Sequence, residues 1–135
     1  LEEYVASWQG QSGVACRLRV DRGLRLPAVI ELQLLRIVQE ALANVRKHAQ
    51  ARHVEIDLVL RGSTLLLTLG DDGVGFNPRQ LDRSEFPRFG LATMRERAES
   101  VGGSFEIGFS PSGGTLLKLE LPVPVPEPAP APAPA

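Results

Sequence analysis

Apolar positions recur along this chain with two different periods. Val14, Cys16, Leu18 and Val20 alternate with their neighbours, and Val54, Ile56, Leu58 and Leu60 do the same, which predicts two half-buried strands. Residues 28–49 instead place Leu35, Val38, Leu42, Val45 and Ala49 at the i, i+3, i+7 spacing of one buried helix face. Leu91, Met94, Ala98 and Val101 line a second helix, which Gly102-Gly103 should stop. Leu65 to Leu69 is nearly continuous in its hydrophobicity and predicts a central strand covered on both sides. Ser104–Phe109 and Leu116–Leu121 predict a hairpin across the intervening Ser, Pro and Gly residues, and Arg61-Gly62-Ser63 turns another. Leu1 to Gln9 is weakly amphipathic and predicts the tail of a helix ending near Gly10. Residues 77–89 are polar, contain Pro78 and Pro87, and predict a loop of lid size. From Pro122 onward proline alternates with Val, Glu and Ala, which predicts an extended tail or linker outside any sheet.

These elements amount to a mixed sheet covered by helices, with antiparallel hairpins and at least one long crossover. At 135 residues the chain has the size of one domain, and with 5% aromatic residues its core must be aliphatic. The expected division is an upstream connecting helix and turn (1–12), the folded domain (13–121) and the tail (122–135). A net charge of −1 gives no electrostatic case for nucleic acid or an anionic membrane. Cys16 is the only cysteine, so no internal disulfide forms, and a reducing interior is the simpler expectation. No apolar run approaches the roughly 18 residues needed to span a bilayer.

Four short motifs carry the candidate chemistry. In the first, Glu40, Asn44 and Lys47 fall within roughly 60° of each other on the helical wheel, nearly opposite the buried face. The Asn44 amide oxygen suits a magnesium ion that keeps its waters and holds phosphate oxygens. Glu40 lies one turn earlier, where it can orient a water, and Lys47 and His48 can meet phosphate. The bland reading is the solvated face of an amphipathic helix. In the second, Asp71-Asp72-Gly73-Val74-Gly75, a carboxylate at a strand end can accept a hydrogen bond from an exocyclic amine, and glycines let the backbone approach a planar base. An ordinary acidic turn with Asp72 as surface decoration explains the same residues. Gly90-Leu91 opens a helix after a long loop, either an anion site or simply a helix start. Gly113-Gly114-Thr115 is plain hairpin chemistry taken alone. A Walker A loop, a Rossmann fingerprint and a zinc site are all excluded by their missing residues.

Taken together, Glu40-Ala-Leu-Ala-Asn44-Val-Arg-Lys47-His48, Asp71-Asp72-Gly73-Val74-Gly75, Gly90-Leu91-Ala-Thr-Met94 and Gly113-Gly114-Thr115 resemble the ATP-binding catalytic domain of bacterial sensor histidine kinases, in the GHKL ATPase superfamily. The resemblance spans roughly Val14 to Leu121. The run Met94-Arg95-Glu96-Arg97 resembles the subgroup that pairs with response regulators of the NarL/DesR type. It implies an α/β (α+β) two-layer sandwich of the Bergerat type, a mixed sheet of about five strands backed by about three helices. It further implies that Asp71 binds the adenine amine, while Gly73 and Gly75 shape the base pocket and Thr115 closes its side. Asn44 would bind Mg2+, Glu40 would act beside it, and Lys47 and His48 would reach the phosphates of ATP. Gly90 and Leu91 would anchor the lid at the phosphate end. Asp72 stands where many relatives have Asn.

The partners implied are a histidine-bearing dimerisation domain and a NarL-type response regulator, with no nucleic acid and no direct membrane contact. Neither His48 nor His53 fits the acceptor's place, so the fragment is expected to bind ATP without autophosphorylating. It is expected to be cytoplasmic and monomeric, and the parent homodimeric. An anti-sigma-factor serine kinase of the same superfamily, or a non-catalytic nucleotide-binding domain, is the alternative reading.

Overall fold

Strong β-formers at alternate positions pair into one five-stranded mixed sheet, seen in a computed structural model that describes residues 1–74, 90–111 and 113–123, and the backbone alone of His48 and Ala49. In chain order the elements are α1 (Glu2–Ser12), β1 (Ala15–Val20), α2 (Ala28–Asn44, prolonged by a π-helical turn, Val45–Ala49), β2 (His53–Arg61), β3 (Thr64–Asp71), α3 (Leu91–Ser100), β4 (Ser104–Phe109) and β5 (Thr115–Pro122). The sheet order is β1-β2-β3-β5-β4. β1 and β2 run parallel, with α2 as their crossover, and every other pair is antiparallel. The expected two-layer fold is therefore present, with β3 central.

Register sorts each strand's side chains onto two unlike faces. Val54, Ile56 and Leu58 of β2, Leu65, Leu67 and Leu69 of β3, and Leu117, Leu119 and Leu121 of β5 share one face and are buried. Ile37, Val38 and Leu42 of α2 and Met94 and Ala98 of α3 close over them in one core. Truncating such a residue to Ala typically costs about 2–5 kcal/mol. The other face is polar. Arg19 pairs with Asp57 at 2.6 Å, and Arg17–Glu55 and Lys118–Glu120 pairs lie at 3.9 Å. Leu66, Thr68 and Gly70 of β3 are half-buried there, so among the described residues β3 is covered on one side and not on both as its apolar run suggested. An unbroken run of leucines is satisfied by one helical layer plus cross-strand neighbours.

Three boundaries also differ from the pattern. α1 runs through Gly10 to Ser12 and closes at Gly13 with φ +74°, because Val5 and Trp8 bury against the core and hold the helix across a weak residue. In α2 the buried face is Ile30, Leu34, Ile37, Val38, Ala41 and Leu42, whereas Leu35 is only half-buried. α2 packs against α3 as well as joining the core over the sheet, and two neighbours cover a wider arc than one wheel position indicates. β5 extends to Pro122, opposite Thr64, and the Val123 amide still donates to the Ser63 carbonyl at 2.8 Å. A terminal proline sacrifices only its own donor. The second helix stops where its glycines indicated, with the Gly103 amide returning to Ala98 at 2.8 Å. Among the described residues no helix is long and apolar enough to cross a membrane.

Candidate functional site

The sheet's register aims Asp71 and Asp72 in opposite directions. Asp71 ends β3 on the same face as Leu67 and Leu69, toward the helices, and is 3% exposed. It is the only buried polar or charged residue among those described. A carboxylate so placed must be hydrogen-bonded. Its Oδ1 accepts the Gly73 amide at 2.9 Å and the Thr115 amide at 3.3 Å. The first bond is local and shapes the turn; the second ties the end of β3 to the start of β5. Gly114 makes this closeness possible. A Cβ there would overlap the Asp71 carboxylate and carbonyl oxygens and the Gly73 amide nitrogen. The Gly-Gly-Thr motif, taken alone as hairpin chemistry, is thus the wall against which the acid is held.

Asp72 faces the polar side of the sheet. Its Oδ1 accepts the backbone amides of Arg52 at 2.8 Å and His53 at 2.9 Å, while Oδ2 lies 2.8 Å from His53 Nδ1. The three donors hold its carboxyl down to about 2, below the usual 3.8, the two hydrogen bonds from His53 contributing most. Surface decoration does not describe this residue. Its partners, at positions 52 and 53, stand twenty residues upstream, too far for a local motif to reveal.

On α2, Glu40 and Asn44 are half-buried and Lys47 is exposed. The α-helix ends at Asn44, and the chain continues in the π turn to Ala49 before Gln50 reverses it at φ +53°. The wheel drawn for one continuous α-helix therefore misplaces Lys47 and His48 relative to Asn44. Single π turns inside helices often mark functional sites. The side chain of His48 lies outside the described residues, as do Gly75 and the loop from Asn77 to Phe89.

Glu40 meets the start of α3. Gly90 caps that helix at φ +64° with no side-chain cap bond, and a Cβ on Gly90 would overlap the Glu40 carboxylate. An acid at a helix N-terminus lies in the favourable field of its unpaired amides. Leu91 is 3% exposed and its side chain is part of the core, so only its backbone is left to face a ligand at the helix start. Two contacts thus join the motifs in pairs, Glu40 with Gly90 and Asp71 with Gly73, Gly114 and Thr115, all on the helical side of the sheet. Cys16, taken as core, is half-buried on β1, and burial raises its thiol. His53 opens β2, as expected of a residue at a strand start.

Residues 29–125 match the family described as histidine kinase-, DNA gyrase B- and HSP90-like ATPases, and the chain belongs to that family. Within it, the chain corresponds to the ATP-binding catalytic domain of sensor histidine kinases. The signal transduction histidine-protein kinase/phosphatase DegS of Brevibacillus brevis is 34% identical over 118 residues, which cover 87% of this chain and 30% of that protein. Sensor protein VraS of Staphylococcus saprophyticus is 38% identical over 96 residues, 71% of this chain and 27% of that protein. The chain spans about 30% of the length of these curated relatives. The ATP binding domain of PrrB from Mycobacterium tuberculosis superposes with a TM-score of 0.62 at 28% identity, covering 83% of this chain and 82% of that one. The blue-light activated histidine kinase of Erythrobacter litoralis shares the fold, with a TM-score of 0.76 at 19% identity over 90% of this chain and 43% of that one.

Proposed function

We propose that this chain binds Mg-ATP on the helical side of its sheet and donates the γ-phosphoryl group to a histidine on a separate dimerisation domain. The observation that carries this reading is the buried Asp71 carboxylate, fixed by the Gly73 and Thr115 amides. A hydrogen bond to a charged group contributes roughly 1.5–3 kcal/mol. Adenine presents an amine to the acid where guanine presents a carbonyl oxygen, so a preference of about tenfold or more follows.

Position by position, Gly73 and Gly75 let the backbone approach the base, and Thr115 closes its side. Glu40 and Asn44 stand one helical turn apart, with Lys47 and His48 beyond them toward the phosphates. Gly90 and the backbone of Leu91 supply the amides at the start of α3. The donor set fits a magnesium ion. The Asn44 amide oxygen is a hard donor with the Glu40 carboxylate one turn away, and a magnesium ion that keeps several waters and binds phosphate oxygens takes oxygen ligands of this kind. Magnesium bound there would neutralise charge on the phosphates during transfer. The protein's own work is positioning: it holds the donor and orients its terminal phosphate toward the acceptor.

Neither His48 nor His53 serves as acceptor, so the chain does not phosphorylate itself. Its partners are the dimerisation domain of its parent and a response regulator of the NarL type, with a monomeric fragment and a homodimeric parent. The domain acts in the cytoplasm, entered by the connecting helix α1, which packs into its core, and left by a Pro/Ala tail after β5. Incubating the chain with γ-labelled ATP and a purified histidine-bearing dimerisation domain tests the proposal. Acid-labile label on that domain, and none on this chain, is expected. Proven ATP binding without transfer to a matched partner would overturn it.

A further inference from the structure

We propose that Asp72 is a positioning residue for the nucleotide site, pegging the turn that carries Asp71 and Gly73 to the first residues of β2 from the opposite face of the sheet. This rests on the reading of Asp71 as the base-recognising acid. Consecutive strand residues point to opposite faces, so a peg on residue 72 restrains residue 71 without touching what it binds. Four contacts make the peg: the Asp72 amide donates to the His53 carbonyl at 3.2 Å, and its carboxylate meets the Arg52 amide, the His53 amide and His53 Nδ1 within 2.9 Å. Arg52 is tied onward, its carbonyl accepting the Ala15 amide of β1 at 3.0 Å. The turn is therefore anchored across the sheet on one side and by the Gly73 and Thr115 amides on the other.

Asp72, His53, Glu55 and Asp57 line a hollow of about 300 Å³ on the polar face, away from the helices. Asp72 thus acts through Asp71 and is not itself a ligand. A carboxylate bond to a base amine weakens steeply when its angle departs from linear, so a turn free to rock would lose both affinity and base preference. Asn can replace this acid, because one amide oxygen still accepts both backbone donors. Ala removes all three side-chain bonds.

The test compares wild type, Asp72→Ala, Asp72→Asn and Asp72→Ser. It reads amide hydrogen exchange at Gly73 and Thr115, ATP and GTP affinity, and circular dichroism for folding. In folded Asp72→Ala the two amides should exchange about tenfold faster or more. Its ATP affinity should fall about tenfold, and its preference for ATP over GTP should narrow. Asp72→Asn should stay within about threefold of wild type on every measure, and Asp72→Ser should fall between them, serving where Asp72→Ala does not fold. Wild-type exchange and wild-type base preference in a folded Asp72→Ala or Asp72→Ser would overturn the proposal. So would Asp72→Asn behaving as Asp72→Ala, since charge alone would then be at work. If the amides respond but the wild type binds no ATP, Asp72's hold on the turn stands and the nucleotide reading of Asp71 is what fails.

Discussion

The Oδ1 atom of Asp71 accepts the backbone amide of Thr115, 44 residues further along the chain, at 3.3 Å. This bond joins the end of the central strand to the start of β5, and it brings two glycine-rich motifs together. A buried acid held by backbone donors keeps one orientation, which is what recognition of a base edge requires.

Asp71→Asn isolates charge from shape. The amide oxygen can still accept the Gly73 and Thr115 amides, so melting temperature should change little. Preference for ATP over GTP should shrink by about tenfold or more, because the amide NH2 that replaces the second carboxylate oxygen donates and cannot accept from the adenine amine. Competition between the two nucleotides for a fluorescent analogue measures this. Unchanged preference would remove Asp71 from the base pocket.

Gly114→Ala forces a methyl group into the Asp71 carboxylate and carbonyl. Overpacking of this kind costs about 1–3 kcal/mol, so denaturant unfolding should shift to a lower midpoint. Nucleotide affinity should fall in parallel, because relief of the overlap moves the acid. A variant of wild-type stability and affinity would show that the wall is not rigid.

Asn44→Asp should disturb magnesium-dependent ATP binding more than binding of ADP without metal, since it alters the one ligand assigned to the ion. Titrations of both nucleotides, with and without magnesium, give the comparison. Equal loss in both would indicate damage to α2 instead.

Much of this was legible in the chain. Period-two alternation indicates β1 and β2, and their polar partners Arg17, Arg19, Glu55 and Asp57 lie on the other face. Helical spacing found α2 and α3, and the four motifs singled out the residues that the fold brings together in pairs. What stayed hidden depends on contacts distant in sequence. Gly114 is ordinary until Asp71 is placed against it, and Asp72 looks like a surface acid until positions 52 and 53 arrive beside it. The π turn after Asn44 was hidden for another reason: Val45-Arg46-Lys47-His48-Ala49 carries no proline or glycine to announce a change of helix.

Asp72 also sets an acid dependence. Its carboxyl titrates at about 2 when folded against 3.8 ordinarily, so the stability it lends is complete above the ordinary value and is lost as pH falls from there toward 2. Asp72→Asn cannot ionise, so its stability lacks this pH dependence. The difference in stability between the two proteins, from urea unfolding at pH 6, 4 and 2.5, should therefore be steady in the first two conditions and shrink in the third. A constant difference throughout would show that the three hydrogen bonds do not favour the ionised form.

Calorimetric titration of ATP into the chain, with and without magnesium and alongside Asp71→Asn, tests the central claim most directly. Saturable binding of one ATP per chain, strengthened by magnesium and weakened about tenfold or more by the substitution, is the expected result. No binding by folded wild-type protein, or equal binding by the variant, would contradict a nucleotide site built around Asp71.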